Sequence, residues 1–257
     1  MPRARLFPRG WLVTGGYHDT RLGVVKTGKE SEVHLVARTS GDRTTLLAEK
    51  RFKARERRGF QNDSMYRGVW GEGTRREHRA MKKQTRFGHE AAQARWIAQE
   101  WGSLVRLHDA GATVPPPVEL LEDGYLMAFI GDAQRAAPRL SEVDLEPPVA
   151  RRVWEELVDE LSLLISADRV HGDLSAFNVL WWRDRAVLID FSQTVEIVTH
   201  PAAHELLVRD IATLGRYFTR RGVTVHVDRI LERIGADAHR FASQQLRASP
   251  PQRRGLS

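Results

Sequence analysis

Apolar and polar positions change their period several times along the chain, and each change marks an element. Between residues 21 and 52 the runs LGVVKTG, EVHLVART and TTLLAEKRF gather aliphatic and β-branched residues over short stretches, split by polar turns around Gly28 and Ser40-Gly41-Asp42. Short runs separated by turn chemistry predict three antiparallel strands. From about 89 to 107 the spacing lengthens. Ala94, Ile97, Trp101, Leu104 and Val105 recur every three or four residues, which predicts an amphipathic helix with one face on the sheet. Pro115 to Pro117 stop that helix, and VELLEDGYLMAFIG then reads as a hairpin around Asp123-Gly124. Past Gly131 the helical period returns. Pro147 and Pro148 open a stripe of Val149, Val153, Leu157, Leu161, Leu164 and Ile165. NVLWW and AVLIDF predict a strand pair about Arg183-Asp184-Arg185, and helices over about 201–219 and 227–246 follow.

This order predicts an α+β chain of two lobes. Residues 21–130 form a sheet with one main helix, and residues 131–250 form a mainly helical lobe. Residues 1–20, which carry Pro, Gly and Arg without a clear period, read as a loose lead-in, and 251–257 as a tail. Residues 53–88 hold many charges, five glycines and almost no aliphatic residues, so they read as an exposed, flexible insertion.

Charge sharpens the picture of that insertion. The net charge is +7, and from Glu49 to Arg106 fifteen Lys or Arg face seven Asp or Glu, so this region carries the whole surplus. Such a stretch suits a polyanion such as RNA or a ribosome, or an acidic protein. A solvated Arg-rich loop has the same composition, and no aromatic RNA-binding motif is interleaved with the charge. The chain has no cysteine, which excludes disulfides, a thiolate metal site and a thiol nucleophile. The basic start MPRARLFPRGWLV is too interrupted for a secretory signal, and no run approaches the roughly 18 apolar residues of a membrane span, so a cytoplasmic protein without membrane contact is expected.

Candidate chemistry concentrates in two strings, VHGDLSAFNVL over 170–180 and VLIDFS over 187–192. Asp173 and Asn178 stand five apart on a loop, and a hairpin returns the chain to Asp190. An acid to receive a hydroxyl proton, an amide to reach a metal and a second carboxylate to hold that metal converge in this way at phosphoryl-transfer sites. On this reading Asp173 accepts or orients the attacking proton, Asn178 and Asp190 bind magnesium through hard oxygens, and His171 buttresses the loop. Lys50, near the end of the third strand, is placed to meet nucleotide phosphates. Glu100 on the amphipathic helix is its expected partner in preference to Glu90. The turn Thr27-Gly28-Lys29-Glu30-Ser31 offers backbone N–H groups, a hydroxyl and a lysine where a phosphate-covering loop would lie, without the repeated glycines of G-x-G-x-x-G. Met127 to Gly131 link the lobes and face an adenine through backbone groups, with Met127 lining the pocket.

With these residues assembled, the chain resembles the RIO family of atypical serine/threonine protein kinases and ATPases. The likeness runs from about Arg21 to Arg220 and rests on KTGKESEVH, LAEKRFK, WIAQEWGSLVRL, LMAFIGD, VHGDLSAFNVLWW, VLIDFSQTVE and HPAAHELLVRDI, in that order. The insertion before the helix and the lack of an added N-terminal winged-helix domain resemble the family's first branch more than its second. The resemblance implies a two-lobed protein-kinase-like fold that uses ATP with Mg2+, or Mn2+ in its place. It implies nucleotide contacts from Thr27, Lys29, Ser31, Val33, Lys50, Glu100, Met127, Phe129, Ile130, Leu180 and Ile189. It further implies Asp173 as the catalytic acid/base, Asn178 and Asp190 on metal, and Asp210 as a brace of the catalytic loop. It also implies an alternative chemistry, an ATPase cycle in which Asp190 accepts the γ-phosphoryl group as an aspartyl phosphate.

Departures are legible too. The chain has Asp-Phe-Ser in place of Asp-Phe-Gly, has no Ala-Pro-Glu motif, and leaves about ten residues between Phe191 and the next helix, so a long activation loop has no room. Glu49 stands at a usually apolar place beside Lys50, and strand alternation is expected to turn it away from the nucleotide. Two other functions compete. One is a small-molecule kinase of the aminoglycoside or sugar class, which the KTGKES turn and the absence of a helical acceptor insertion argue against. The other is a ribosome- or RNA-binding pseudokinase scaffold, which retention of Lys50, Asp173, Asn178 and Asp190 argues against.

Overall fold

A computed structural model describes residues 6–53 and 86–236, with side chains from Gln93 onward in the helix that opens at Arg86. Strands β1 (His18–Thr27), β2 (Ser31–Ser40) and β3 (Arg43–Phe52) form the meander. Helix α1 (Arg86–Asp109) and strands β4 (Pro117–Leu121) and β5 (Gly124–Ala128) complete the first lobe. Every sheet neighbour is antiparallel, in the order β1-β2-β3-β5-β4. The second lobe holds α2 (Pro147–Ser166), the pair β6 (Val179–Trp182) and β7 (Arg185–Leu188), and α3 (Ala203–Thr219). A further helix covers 227–236, where the described residues end. The chain is therefore α+β with two lobes. Most of the expected basic insertion, residues 54–85, lies outside the described residues, as do part of the helix expected over 227–246 and the tail.

Alternation along β3 decides what each sheet face does. Lys50 pairs with Val33 on one side and Tyr125 on the other, so this row shares the face that meets α1. One residue back, Glu49 points to the opposite face, where Arg21 grips it with hydrogen bonds of 2.6 to 2.9 Å. Its charge is thus paired away from Lys50, which removes the cost of an acid in a largely buried strand position.

That outer face is also where the lead-in differs from expectation. Val36, Leu47 and Leu126 form an apolar cluster there, and Trp11, Leu12, Val118 and Leu121 pack against it. Val13 is buried, its N–H donates to Thr45 Oγ1 at 3.1 Å, and Thr45 donates in turn to the Trp11 carbonyl at 2.9 Å. Leu6 and Phe7 pack further on, against Ile130, Ala137 and Val187. Residues 6–13 are therefore a strap from the sheet to the second lobe, and β1 begins at His18 rather than Arg21. The apolar residues among the prolines and arginines exist to cover a sheet face that α1 leaves open.

Helix α1 carries its buried stripe on Ile97, Glu100, Leu104 and Leu107, while Trp101 and Val105 are half-buried and Ala94 is exposed. An acid in the middle of an apolar stripe needs a partner, and Lys50 of β3 supplies it. In the second lobe α2 buries Val153, Leu157, Leu161 and Leu164, and Trp154 meets Phe218 of α3 with ring centroids 5.1 Å apart. The buried Glu160 of α2 accepts from both the N–H and the hydroxyl of Thr113, at 2.8 and 2.6 Å, tying the segment after α1 to the helical lobe. Among the described residues no helix is long and apolar enough to cross a membrane.

Candidate active site

The centre of the cleft is an ion-pair relay. Lys50 Nζ donates to Glu100 Oε1 at 2.5 Å and to Asp190 Oδ1 at 2.9 Å. Tyr125, opposite Lys50 on β5, donates its hydroxyl to the same Glu100 oxygen at 3.1 Å. Lys50, Glu100 and Tyr125 are buried, whereas the Asp190 side chain is 44% exposed. Burial presses the Lys50 ammonium towards deprotonation, but the Asp190 and Glu100 carboxylates outweigh it and hold its pKa well above the ordinary value. Burial raises Glu100, with Lys50 opposing. Lys50 lowers Asp190 to about 2, with its burial opposing, so this carboxylate stays ionised at any working pH.

Asp190 sits just past β7 at φ 68°, a left-handed conformation that Asp tolerates better than most residues. Backbone strain of this kind, of order 1–3 kcal/mol, persists only where neighbours over-determine it. Here Lys50 holds the side chain, and the preceding Ile189 carbonyl accepts from His171 Nε2 at 3.1 Å. The Phe191 ring lies 5.4 Å from that of His171, so the two strings identified in the sequence lock together.

The loop bearing Asp173 is fixed from beneath by α3. The buried Asp210 carboxylate accepts the N–H groups of Gly172 and Leu174 at 2.8 and 2.9 Å, and Arg209 donates to the Gly172 carbonyl. Burial raises the Asp210 pKa, with His171 and the two backbone N–H groups opposing. Asn178 is buried at the end of a 3-10 turn, and its Nδ2 donates to the Asp173 carbonyl at 2.8 Å and to Asp173 Oδ2 at 3.2 Å. Those bonds consume the nitrogen and leave the amide oxygen as the available ligand. Asp173 itself is exposed.

Gly172 has φ 79°, and a Cβ there would come within 2.2 Å of the Gln193 carbonyl oxygen. Both the left-handed backbone and the overlap penalise a side chain. Gly172→Ala is expected to lower the unfolding free energy by about 2–4 kcal/mol and to move Asp173. Denaturant titration checks the first effect, and an unchanged midpoint refutes it.

The turn between β1 and β2 closes with a Gly28 N–H to Ser31 carbonyl bond of 2.8 Å. It is tied to the end of β3 by Lys53, whose N–H donates to the Glu30 carbonyl at 2.9 Å and whose ammonium donates to the Gly28 carbonyl at 2.8 Å. Thr27 ends β1, Lys29 is exposed at the tip and Ser31 starts β2. Val33, Met127, Leu180 and Ile189 are half-buried apolar residues. Phe129 donates its N–H to the Leu46 carbonyl at 3.2 Å. Ile130 is buried against Ala137 and Val187 and accepts through its carbonyl from the Ala137 N–H, so both its side chain and its carbonyl serve the packing.

Two members of this arrangement escape sequence reasoning. Tyr125 carries a readable signal, since a buried tyrosine in a strand needs a partner for its hydroxyl. Lys53 carries none, because a strand-end lysine ordinarily points to solvent.

Comparison with known proteins identifies the family of the chain. The family model described as "RIO domain" matches residues 41–230. RIO-type serine/threonine-protein kinase Rio1 of Haloferax volcanii is 30% identical over 228 residues, covering 88% of this chain and 72% of that protein. Serine/threonine-protein kinase RIO3 of Mus musculus is 31% identical, covering 83% of this chain but only 41% of the mouse protein. Human serine/threonine-protein kinase RIO1 is 29% identical over 87% of this chain and 37% of its own length. Among solved structures, the Cydia pomonella granulovirus kinase PK-1 aligns with a TM-score of 0.44 at 13% identity, covering 69% of this chain and 52% of that one.

Proposed function

The chain belongs to the RIO domain family, whose matched relatives are serine/threonine-protein kinases, and from that premise we propose that it transfers the γ-phosphoryl group of ATP with magnesium through Lys50, Asp173, Asn178 and Asp190. The observation that carries this reading is the relay Glu100–Lys50–Asp190, which spans the two lobes at 2.5 and 2.9 Å. It brings a held cation and an ionised carboxylate to one point of the cleft.

The donor set fits magnesium. Asn178 and Asp190 present hard oxygens, Asp190 is ionised, and the Asn178 nitrogen is already committed to Asp173. Asn178 and Asp190 would hold the ion together with nucleotide phosphates and retained waters, a shell of the kind magnesium prefers. A bound ion would neutralise charge developing on the phosphates.

Each residue then has a task. Lys50 binds phosphate oxygens and Glu100 keeps its ammonium aimed at them. The Thr27–Ser31 turn covers the phosphates with backbone N–H groups. Val33, Met127, Leu180 and Ile189 enclose the adenine, and the backbone of Phe129 and Ile130 addresses its edge. Asp173 Oδ2 is held by Asn178, so Oδ1 takes the proton of an attacking serine or threonine hydroxyl as its oxygen bonds to phosphorus and ADP leaves.

A second reading is favoured by the short path from Asp190 to α3, which leaves twelve residues and no room for a long peptide-docking loop. In it Asp190 Oδ2, the oxygen not bonded to Lys50, attacks the γ-phosphorus, ADP departs, and water later hydrolyses the acyl phosphate. Incubation with γ-labelled ATP separates the two. Label that survives acid and hydroxylamine marks a phosphorylated hydroxyl, and hydroxylamine-labile label marks Asp190. The absence of both magnesium-dependent labelling and ATP hydrolysis would overturn both readings.

A further inference from the structure

The relay depends on where α1 sits, because Glu100 reaches Lys50 only if the helix is held at one rotation and depth. Apolar packing of Ile97, Leu104 and Leu107 sets the depth. Close packing of that stripe also limits rotation, and directed bonds beside it tighten the limit. Two polar side chains supply the direction. Trp96 Nε1 donates to the Ser192 carbonyl at 3.3 Å, and Gln99 Nε2 donates to the Thr194 carbonyl at 3.1 Å. Positions 96, 99 and 100 share one helix face through the three- and four-residue spacing.

Both acceptors lie on the segment that leaves Asp190, and that segment is itself anchored. The Thr194 N–H donates to the Phe191 carbonyl at 3.1 Å, and Val195 exchanges backbone bonds of 3.0 Å with Val170 beside the catalytic loop. Thr194 is buried, so its carbonyl has no freedom to follow a wandering helix. The connections close a ring: Asp190 to Lys50, Lys50 to Glu100, one residue along α1 to Gln99, across to Thr194, and back along the chain to Asp190.

On the reading of the site given above, we infer that Gln99, assisted by Trp96, is a positioning residue that latches α1 to the segment after Asp190 and keeps Glu100 on Lys50 without any phosphorylation of this chain. In kinases with a long activation loop, phosphorylation orders that loop and so brings the helix into place. Here the twelve residues after Asp190 include no such loop, and two side-chain to carbonyl bonds do the ordering.

The test is steady-state ATP turnover by the full chain, with Gln99→Glu, Gln99→Ala and Gln99→Lys compared with the unaltered protein. Gln99 is exposed, so none of the three empties the core. Glu is isosteric but sets a carboxylate against the Thr194 carbonyl, whereas Lys restores a donor. The expected result is a KM for ATP raised five- to twenty-fold in Gln99→Glu, raised less in Gln99→Ala and recovered to within about three-fold in Gln99→Lys, with thermal midpoints of all three unchanged. A KM in Gln99→Glu equal to that of the unaltered protein overturns the latch. So does a loss of activity that merely follows a lowered midpoint, or a Gln99→Lys variant no better than Gln99→Glu. An unaltered protein that neither binds nor turns over ATP refutes the underlying reading instead, and a chain whose turnover requires prior phosphorylation of its own residues refutes the latch alone.

Discussion

Asp190→Asn abolishes magnesium-dependent ATP binding, raising the dissociation constant at least a hundred-fold in calorimetric titration with magnesium, while titration in EDTA shows little difference from the unaltered protein. The reason is that one carboxylate serves two cations. Lys50 at 2.9 Å holds its pKa down to about 2, below the ordinary carboxylate value, and its second oxygen is left as a charged ligand for the metal. Asparagine keeps the shape but offers the metal only a neutral oxygen. It also leaves the buried Lys50 with Glu100 as its one ionised partner among the described residues, which weakens the hold on that ammonium. The fold itself survives, because the Asp190 side chain is 44% exposed and the apolar ring beside it belongs to Phe191. Nucleotide affinity that is indifferent to both magnesium and this substitution would sink the assignment.

Asp173→Asn gives the opposite pattern. Nucleotide binding stays within about three-fold, and kcat falls by about 10²–10⁴, the range associated with loss of a positioned acid/base. Asp173 is exposed, and its only side-chain bond described is with Asn178 Nδ2. An asparagine oxygen accepts that bond equally well, so the loop geometry is kept while the proton acceptor is lost. Stopped turnover with an intact affinity separates this effect from damage to the metal site. Should turnover proceed through an acyl phosphate on Asp190, the labelled intermediate still forms in Asp173→Asn and its hydrolysis is the step that slows.

Together these results distinguish binding from chemistry on residues only seventeen positions apart. They also bear on the pseudokinase alternative, which requires that neither substitution alter a measured turnover. The sugar-kinase alternative is addressed by the same turnover assay, since a small acceptor would raise ATP consumption over the basal rate.

Much of the site is legible in the residues themselves. Val170 to Leu180 and Val187 to Ser192 carry a spacing that suits a loop followed by a hairpin, and the structure has a 3-10 turn at Ala176–Asn178 followed by β6 and β7. Asp184, with φ 59°, turns that hairpin where Arg183-Asp184-Arg185 is expected to turn it. Glu100 is visible as an acid inside an apolar stripe. The lead-in is not legible, because Leu6, Phe7, Trp11, Leu12 and Val13 lack the period of a helix or strand and gain meaning only from the sheet face they cover. The latch is equally silent. Gln99 is an ordinary polar residue on a helix until the Thr194 carbonyl appears opposite it.

By itself, then, the order of residues determined the elements, their pairing by turns, and the identity of the groups able to carry charge and protons. Those are local properties, set by period, turn chemistry and spacing within about twenty residues. The tertiary structure alone decided which of those groups meet: Lys50 with Asp190 across 140 positions, Asp210 beneath Gly172 and Leu174, Arg21 with Glu49, and residues 6–13 across the back of the sheet. The physical reason is that directed bonds between distant side chains follow from how apolar faces stack, and no local pattern encodes the depth or rotation at which one face comes to rest on another.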